Sequence, residues 1–571
     1  MLRRPTARAR RGTGTALATL VLAVLALAPD VRAASEPTLF FNGRIYLNDE
    51  KRTVVQALLT DGVKVAGVGQ LSELEARAVG ARRVDLGGAT AVPGLQDAHG
   101  RLASFGESLE TLDLRGAKSF AEVIERVGVE STKRKEGTWI VGRGWDQNRW
   151  SDASLPHHFL LSARVPKHPV FLECVDGHAA LVNKAALSAA KLDGVLGTDH
   201  EIAGGRIVLD EEKRATGVLL DGAMSRVQSL IPPASTEVQV RRLLRAQERL
   251  LAAGLTAVHD MGTLPETLTL LRGLRSAGQL KLRVVAYVWA NGEFTEESVK
   301  ALPLAPDPLD VLCAPGIKLM ADGSLGSRGA ALYEDYSDAP GERGYLLLTE
   351  AELGERLAIA AKHGLQPAVH AIGDRANGLM LDLYDKTSTS FPEFKDLRPR
   401  IEHAQVVAPK DWPRFPELGV LASMQPVHAA SDVAWVPLRL GPQRTEGANA
   451  WRALAPELGL LAFGSDFPVE DPGPLRGLHA ARTRPDAEPN SKGGSVPTQR
   501  LDGAAALAGF TSGAAYACHQ EDRRGRLLAG YFADLTVTDL DPVAGDAQAL
   551  LKARVTMTVI TGEIVYKAGG S

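Results

Sequence analysis

A small group of histidines, acids and one lysine carries the strongest chemical signal in the sequence. Each residue stands at or near the end of a short apolar segment: AVPGLQDAHGR (Asp97, His99, Arg101), GIKLMADG (Lys318), AVHAIGD (His370), RIEHAQ (His403) and FGSDFPVE (Asp466). Alternate side chains of a strand share a face, so Asp97, His99 and Arg101 are expected to point the same way. Imidazoles and carboxylates that converge at one point form divalent-metal sites, usually for zinc. The sequence therefore predicts a metal centre.

The elements that would position these residues alternate between helix and strand, which is typical of a parallel α/β architecture. One unit is clear: Thr349 and Glu352 form a capping box, Gly364 ends the helix, and QPAVH follows as a buried strand that ends on His370. The carboxyl ends of barrel strands carry the chemistry in such folds. We therefore expect the polar residues at these ends to meet.

Both ends of the chain are rich in predicted short strands. Residues 38–92 contain turn signals at Asn42-Gly43 and Asp61-Gly62 between β-rich runs, and residues 525–566 have the same texture. We expect residues 35–92 and 525–571 to pair into one small β-domain.

Residues 1–34 have the pattern of a secretory signal peptide. Five arginines at positions 3–11 precede an uncharged apolar run over residues 15–28, and the small residues Ala33 and Ala34 follow. The run is shorter than the roughly 20 residues that a membrane-spanning helix needs, which favours cleavage over a retained anchor. We expect an exported, periplasmic or secreted protein without stable membrane insertion.

Composition excludes several other classes of protein. The formal net charge over 571 residues is −3, and the basic residues after the N-terminus are dispersed, which argues against a nucleic-acid partner. Cys174, Cys313 and Cys518 are odd in number and far apart, so we expect buried single thiols and no disulfide framework. The oligomeric state stays open.

Further segments extend the signal over nearly the whole mature chain: GRGWDQNRW, VDGHAALVN, TGVLLDGA, GLTAVHD, KLMADGSLGSRG, VHAIGDRAN, SMQPVHAASD, AFGSDFPVEDPGPL and AGYFADLTVTD. In this order they resemble the amidohydrolase superfamily, within it the YtcJ-like branch that includes N-substituted formamide deformylases. The resemblance implies an α/β fold, a (β/α)₈ TIM-type barrel over residues 93–524 with an inserted segment around 140–250, and a small composite β-sandwich formed by both chain ends.

The resemblance also implies roles for single residues. His99 matches the first histidine of a His-x-His pair on the first strand, and His370 and His403 match the metal histidines of the fifth and sixth strands. Asp466 matches the eighth-strand aspartate that binds metal and moves protons. Lys318 stands where several branches carry a carboxylated lysine between two ions. The implied cofactor is one or two divalent ions, zinc by donor type.

Arg101 departs from that pattern because it replaces the second histidine of the pair. A guanidinium has no lone pair for a metal and repels a cation. Its expected destinations are the carboxylates of Asp466, across the barrel, and of Asp97, one pleat below. We expect at most one tightly bound ion, held mainly by His370 and His403.

The predicted activity is hydrolysis of a non-peptide C–N bond in a small-molecule amide, N-formyl compound or cyclic amide. A bound ion would lower the pKa of its water and polarise the carbonyl, and Asp466 would pass the proton to the leaving nitrogen. The alternative is a homologue without catalysis that binds a ligand or regulates, because of Arg101.

Further residues have predicted roles around the metal centre. The candidates for substrate contact are His178, Arg101 and Arg328, although His178 could equally cap a turn. The candidates for orienting metal ligands are Asp322 and Asp374. The pair His157 and His158 is expected to face solvent, and His259 and Asp260 to be structural.

Overall fold

The computed structural model describes residues 36–147, 150–152, 154–175, 177, 179–194, 201–202, 205–455, 461–485 and 496–569. The predicted signal peptide and His178 lie outside the described residues. No helix in the described part of the chain has both the length and the apolar character to cross a membrane.

Short strands precede the barrel, as the turn signals predict: β1 (Thr38–Phe41), β2 (Arg44–Tyr46), β3 (Val54–Val55), β4 (Ala57–Thr60), β5 (Val65–Gly69), β6 (Arg82–Asp85) and β7 (Thr90–Pro93). The first barrel strand, β8 (Leu95–Gly100), follows directly.

An inserted sheet follows β8 and has its own apolar core. Its strands are β9 (Leu112–Asp113), β10 (Ile140–Trp145), β11 (Val170–Cys174), β12 (Ala179–Val182), β13 (Glu201–Ile202), β14 (Gly205–Leu209) and β15 (Ala215–Asp221). The domain boundaries expected from the sequence remain a prediction.

The remaining barrel strands are β16 (Leu255–Thr263), β17 (Arg283–Trp289), β18 (Leu312–Met320), β19 (Gln366–Ala371), β20 (Arg400–His403), β21 (Leu421–Met424) and β22 (Leu461–Phe463). Together with β8 they form a parallel sheet in chain order. The sheet closes between its ends, where the Asp466 N–H donates to the His99 carbonyl at 2.7 Å and the Arg101 N–H to the Phe467 carbonyl at 2.9 Å. Gly100 permits this approach, since a Cβ there would lie 2.2 Å from the Phe467 ring.

Three strands complete the C-terminal part: β23 (Leu535–Thr538), β24 (Val555–Ile560) and β25 (Glu563–Lys567). Strand β23 pairs antiparallel with β7, so one sheet, ordered β25-β24-β23-β7-β2-β3, contains both chain ends. A second sheet, ordered β5-β4-β1-β6, packs with it around a shared apolar cluster. The predicted fold, a (β/α)₈ barrel with a composite β-sandwich, is confirmed.

Seventeen α-helices lie in the described residues. They are α1 (Leu71–Glu75), α2 (Leu102–Ser108), α3 (Phe120–Ser131), α4 (His158–Arg164), α5 (Lys184–Ala189), α6 (Ser225–Gln228), α7 (Thr236–Ala252), α8 (Pro265–Ser276), α9 (Glu350–Lys362), α10 (Asp374–Ser390), α11 (Arg414–Leu418), α12 (Pro426–Ser431), α13 (Val436–Thr445), α14 (Trp451–Leu454), α15 (Pro474–Thr483), α16 (Gly503–Gly509) and α17 (Ser512–Tyr516). Helix α9 begins with the predicted capping box of Thr349 and Glu352. Its buried residues, Leu353, Leu357 and Ala360, face the barrel core.

Candidate metal centre

Three side chains at the carboxyl ends of barrel strands converge on one point. Ligand atoms of His99, His403 and Asp466 all lie within 4.8 Å of one another, and the three residues are buried. His403 ends β20 with a φ of 74°, and Asp466 follows β22 with a φ of 58°. This left-handed backbone is uncommon outside glycine and often marks functional sites. Among the described residues, this group has the composition and spacing of a cation site.

The ligand atoms that have no hydrogen bond test whether a cation fits the site. His99 Nε2, His403 Nε2 and Asp466 Oδ1 are buried and have no hydrogen-bond partner in the described part of the chain. Such atoms are normally hydrogen-bonded. Lone pairs of imidazole and carboxylate around one point suit a divalent ion of the zinc type. The residues therefore fit the metal that the sequence predicts.

His370 and Lys318 flank this group. The ring of His403 lies between the other two imidazoles, with centroids 4.7 Å from His99 and 4.5 Å from His370. His370 Nδ1 and Lys318 Nζ are also buried without a hydrogen bond among the described residues. Burial lowers the pKa of Lys318 to about 7, although nearby Glu402 and Asp466 oppose this shift. Both residues thus border the site.

Hydrogen bonds orient the imidazoles of His99 and His403, the two central imidazoles of the site. His99 Nδ1 lies 2.6 Å from Glu402 Oε2, and His403 Nδ1 lies 2.8 Å from Gln425 Oε1. Each acceptor requires a hydrogen on Nδ1, which leaves the Nε2 lone pair facing the site. Burial would raise the pKa of Glu402, but the charge of Arg400, the hydrogen bond from His99 and the nearby Lys318 together outweigh it and hold the pKa well below its usual range.

The guanidinium of Arg101 lies at Asp466, one of its two expected destinations, with Nη2 3.3 Å from Oδ1. The other carboxylate, Asp97, accepts instead from the Ser465 hydroxyl at 2.6 Å and from the Ser465 and His99 N–H groups. Burial would raise the pKa of Asp466, but the Arg101 guanidinium, together with the other basic side chains around it, outweighs burial and lowers that pKa. Asp466 is thereby held as a carboxylate.

Other candidate residues have different surroundings. Arg328 forms an ion pair with Asp338 at 2.9 Å, at the protein surface. Asp322 accepts from three backbone N–H groups and lies 3.6 Å from His370 Nε2, whereas Asp374 accepts from the Tyr333 N–H and ties a loop to α10. Of these two acids, Asp322 is therefore the one that lies near a histidine of the site.

The expectation that both members of the pair His157 and His158 face solvent is wrong. His158 is 8% exposed, and its Nδ1 lies 2.8 Å from Ser162 Oγ. His157 accepts from the Phe159 N–H at the start of α4. His259 is buried beside Arg400, with Nδ1 2.9 Å from the guanidinium, in agreement with a structural role. The three cysteines are buried and form no disulfide with one another.

Sequence reasoning missed Glu402, Gln425 and His428. His428, on α12, stacks on His403 with centroids 6.2 Å apart and an interplanar angle of 6°. A signal existed for Glu402, because Arg400 and Glu402 alternate in RIEH and must share one face of β20. Gln425 and His428 both stand in SMQPVHAASD, one of the segments that carry the family resemblance, and this was the signal that could have found them.

Comparisons with known proteins agree with the family resemblance seen in the sequence. The model of the amidohydrolase family matches residues 82–566. The Protein LONG AFTER FAR-RED 3 of Arabidopsis thaliana is 32% identical over 92% of this chain and 91% of its own length. The putative amidohydrolase YtcJ of Bacillus subtilis is 29% identical, over 93% and 99% respectively. The N-substituted formamide deformylase of Arthrobacter pascens is 25% identical, over the same two shares.

A solved structure shows the same fold. An uncharacterized metal-dependent hydrolase from Pyrococcus horikoshii superposes with a TM-score of 0.74 at 30% sequence identity. The match covers 90% of this chain and 99% of that chain.

Proposed function

This chain belongs to the amidohydrolase family, and from that premise we propose that it hydrolyses a non-peptide C–N bond of a small molecule. The bond would be that of an amide, an N-formyl compound or a cyclic amide. The observation that carries the proposal is the buried group of His99, His403 and Asp466, whose ligand atoms meet at the carboxyl end of the barrel without a hydrogen bond among the described residues. The formamide deformylase relative supports this choice of bond.

Each residue of the site would have its own role in hydrolysis. A bound divalent ion, by donor type zinc, would supply Lewis acidity and activate water near neutral pH. His99 and His403 would hold the ion through Nε2, since their Nδ1 atoms are engaged elsewhere. The Asp466 carboxylate would accept the proton that the attacking water loses and pass it to the leaving nitrogen. Burial of all three side chains keeps bulk water from these charges.

Arg101 limits the site to one tightly bound ion. Its positive charge lies where the second imidazole of the pair would donate a lone pair, and its guanidinium already binds Asp466. The mutual spacing of their ligand atoms makes His99 and Asp466 the partners of His403 in this single site, and His370, whose ring centroid lies 4.5 Å from that of His403, borders it. Because the ion pair lowers the pKa of Asp466, that carboxylate is a weaker base. We therefore expect slower hydrolysis than in relatives that have both histidines.

The ion pair also favours a second candidate function. If Arg101 and Asp466 stay paired, the barrel mouth would bind a ligand without turnover, as a regulatory or ligand-binding protein would. Metal-dependent turnover separates the two functions, because a pure binding protein releases no product.

The test combines metal analysis with a substrate panel. Purified protein, stripped with a chelator and reloaded with Zn²⁺, is assayed on N-formyl compounds, amides and cyclic amides. We expect about one ion per chain and zinc-dependent turnover. His403→Ala should lose metal and activity together, because no neighbouring group can replace the imidazole. The matched control is His363→Ala, whose imidazole lies near Glu296. Zinc at the native stoichiometry in His403→Ala would contradict the assignment.

We further propose that the chain is exported. The support is the pattern of residues 1–34 alone: basic head, apolar run and small residues. N-terminal sequencing of exported protein should begin within a few residues of Ala34. Recovery of the intact chain from Met1 in the cytoplasm would overturn this proposal.

A further inference from the structure

A fully buried ion pair lies inside the barrel next to the candidate metal centre. Arg400 and Glu402 are both 0% exposed, and their closest atoms, Nε and Oε1, are 2.8 Å apart. Arg400 Nη2 also donates to Glu402 Oε2 at 3.2 Å. Removing two charges from water is costly, and apolar side chains often stabilise such a position as well or better. Fold stability alone therefore does not account for the pair.

Glu402 contacts the site through its second oxygen. Oε2 lies 2.6 Å from His99 Nδ1, a distance typical of a strong, charge-assisted hydrogen bond. A carboxylate can only accept, so Nδ1 must carry the hydrogen. The opposite atom, Nε2, keeps its lone pair and lies 3.6 Å from Asp466 Oδ1.

Arg400 holds the Glu402 carboxylate in place. Its guanidinium also donates to four groups on other barrel strands: the Ala98 carbonyl at 2.8 Å, His259 Nδ1 at 2.9 Å, the Ser423 hydroxyl at 3.0 Å and the Tyr287 hydroxyl at 3.0 Å. These partners belong to β8, β16, β21 and β17. Together with Glu402 on β20, these partners connect the guanidinium to five strands. It therefore cannot rotate, and the carboxylate bound to it is held in place as well.

The two central imidazoles differ in this respect. His403 Nδ1 faces the neutral amide of Gln425, whereas His99 Nδ1 faces a charged carboxylate. A carboxylate partner makes an imidazole a stronger metal ligand than a neutral partner does. Since Arg101 replaces the second histidine, β8 offers the ion His99 alone.

We infer that Glu402, gripped by Arg400, is a positioning residue that fixes the tautomer and plane of His99 for a metal ion. The inference rests on the proposed function for its metal. This role accounts for the buried ion pair of Arg400 and Glu402, which fold stability alone does not.

A double-mutant cycle on metal affinity tests the inference. The Zn²⁺ affinity of Glu402→Gln, measured by competition with a chromophoric chelator, should fall about ten- to a hundredfold. In a His99→Ala background the same change should have little further effect, because the group that Glu402 positions is gone. Ser423→Ala is the matched control: it removes another Arg400 partner that does not touch His99, and should change affinity less than about twofold. An equal loss in both backgrounds would overturn the inference.

A second measurement does not depend on the metal. Histidine ¹⁵N shifts of the metal-free protein, with His99 assigned by its loss in His99→Ala, report which ring nitrogen carries the hydrogen. We expect the Nδ1–H tautomer in the native chain and a mixture in Glu402→Gln of native circular dichroism. If the native chain binds no zinc, the proposed function fails while this measurement still judges the positioning. An unchanged tautomer in Glu402→Gln would overturn the inference.

Discussion

At the scale of single residues, Arg101 decides the electrostatics of the barrel mouth. Its guanidinium brings a permanent positive charge to 3.3 Å from the Asp466 carboxylate. Two unit charges about 4 Å apart interact by roughly 4 kcal/mol at an effective dielectric constant of about 20. A repulsion of this order between Arg101 and a nearby cation would offset much of what one imidazole ligand contributes. The residue therefore removes a ligand and weakens the binding of a cation at the same time.

Arg101→His should reverse both effects. We expect zinc occupancy to rise from one ion towards two per chain, and hydrolysis to increase, because a lone pair replaces a charge and Asp466 becomes a stronger base. Elemental analysis and turnover on the same preparation measure this. Arg101→Gln, which removes the charge without adding a ligand, is the control and should stay near one ion.

An opposite result would assign Arg101 a different task. If the native chain already binds two ions and Arg101→His lowers turnover, the guanidinium is better explained as a substrate contact, for example for a carboxylate. Its side chain is 38% exposed, so it can be reached from outside.

At the scale of elements, strand ends were predictable from the sequence, whereas the backbone conformation of the residues at those ends was not. The apolar runs before His370 and Asp466 predicted strands β19 and β22, because a buried parallel strand reads as a continuous apolar segment. His403 and Asp466 have a positive φ, and no residue pattern predicts it. The sequence favoured His370 beside His403, whereas the group with the spacing of a cation site is His99, His403 and Asp466.

Contacts between distant elements were equally hidden. His158 looked exposed because it stands in a polar stretch, yet β15 of the inserted sheet covers it: a Cβ on Gly217 would lie 2.8 Å from the His158 Cβ. Arg328 looked free to bind substrate, yet Asp338, in the same loop region, pairs with it. Such partners depend on how loops fold back, which local periodicity does not encode.

At the scale of the whole molecule, a second buried ion pair joins the barrel to the sandwich. Arg283, 0% exposed at the start of β17, donates from Nε to Asp534 at 2.7 Å and from Nη2 at 3.0 Å. Asp534 directly precedes β23 and also accepts from the Thr561 N–H, while its carbonyl accepts from Gly94. The guanidinium further donates to the Leu309 carbonyl. The Asp534 carboxylate therefore joins the barrel to the C-terminal strands, and the backbone carbonyl of the same residue binds the N-terminal segment.

Asp534→Ala should consequently destabilise the entire molecule. It leaves the Arg283 guanidinium buried without its counter-charge, which costs about 3–5 kcal/mol. The double variant Arg283→Met with Asp534→Leu removes both charges and should recover most of this loss. Because the pair links barrel and sandwich, we expect one cooperative unfolding transition at a lower denaturant concentration, measured by circular dichroism and by tryptophan fluorescence.

Glu75→Ala, which breaks the exposed ion pair with Arg83 in the same sandwich, is the control and should cost less than about 1 kcal/mol. Separate transitions for the two probes, or a loss in Asp534→Ala no greater than in the control, would show that the two parts are stabilised independently.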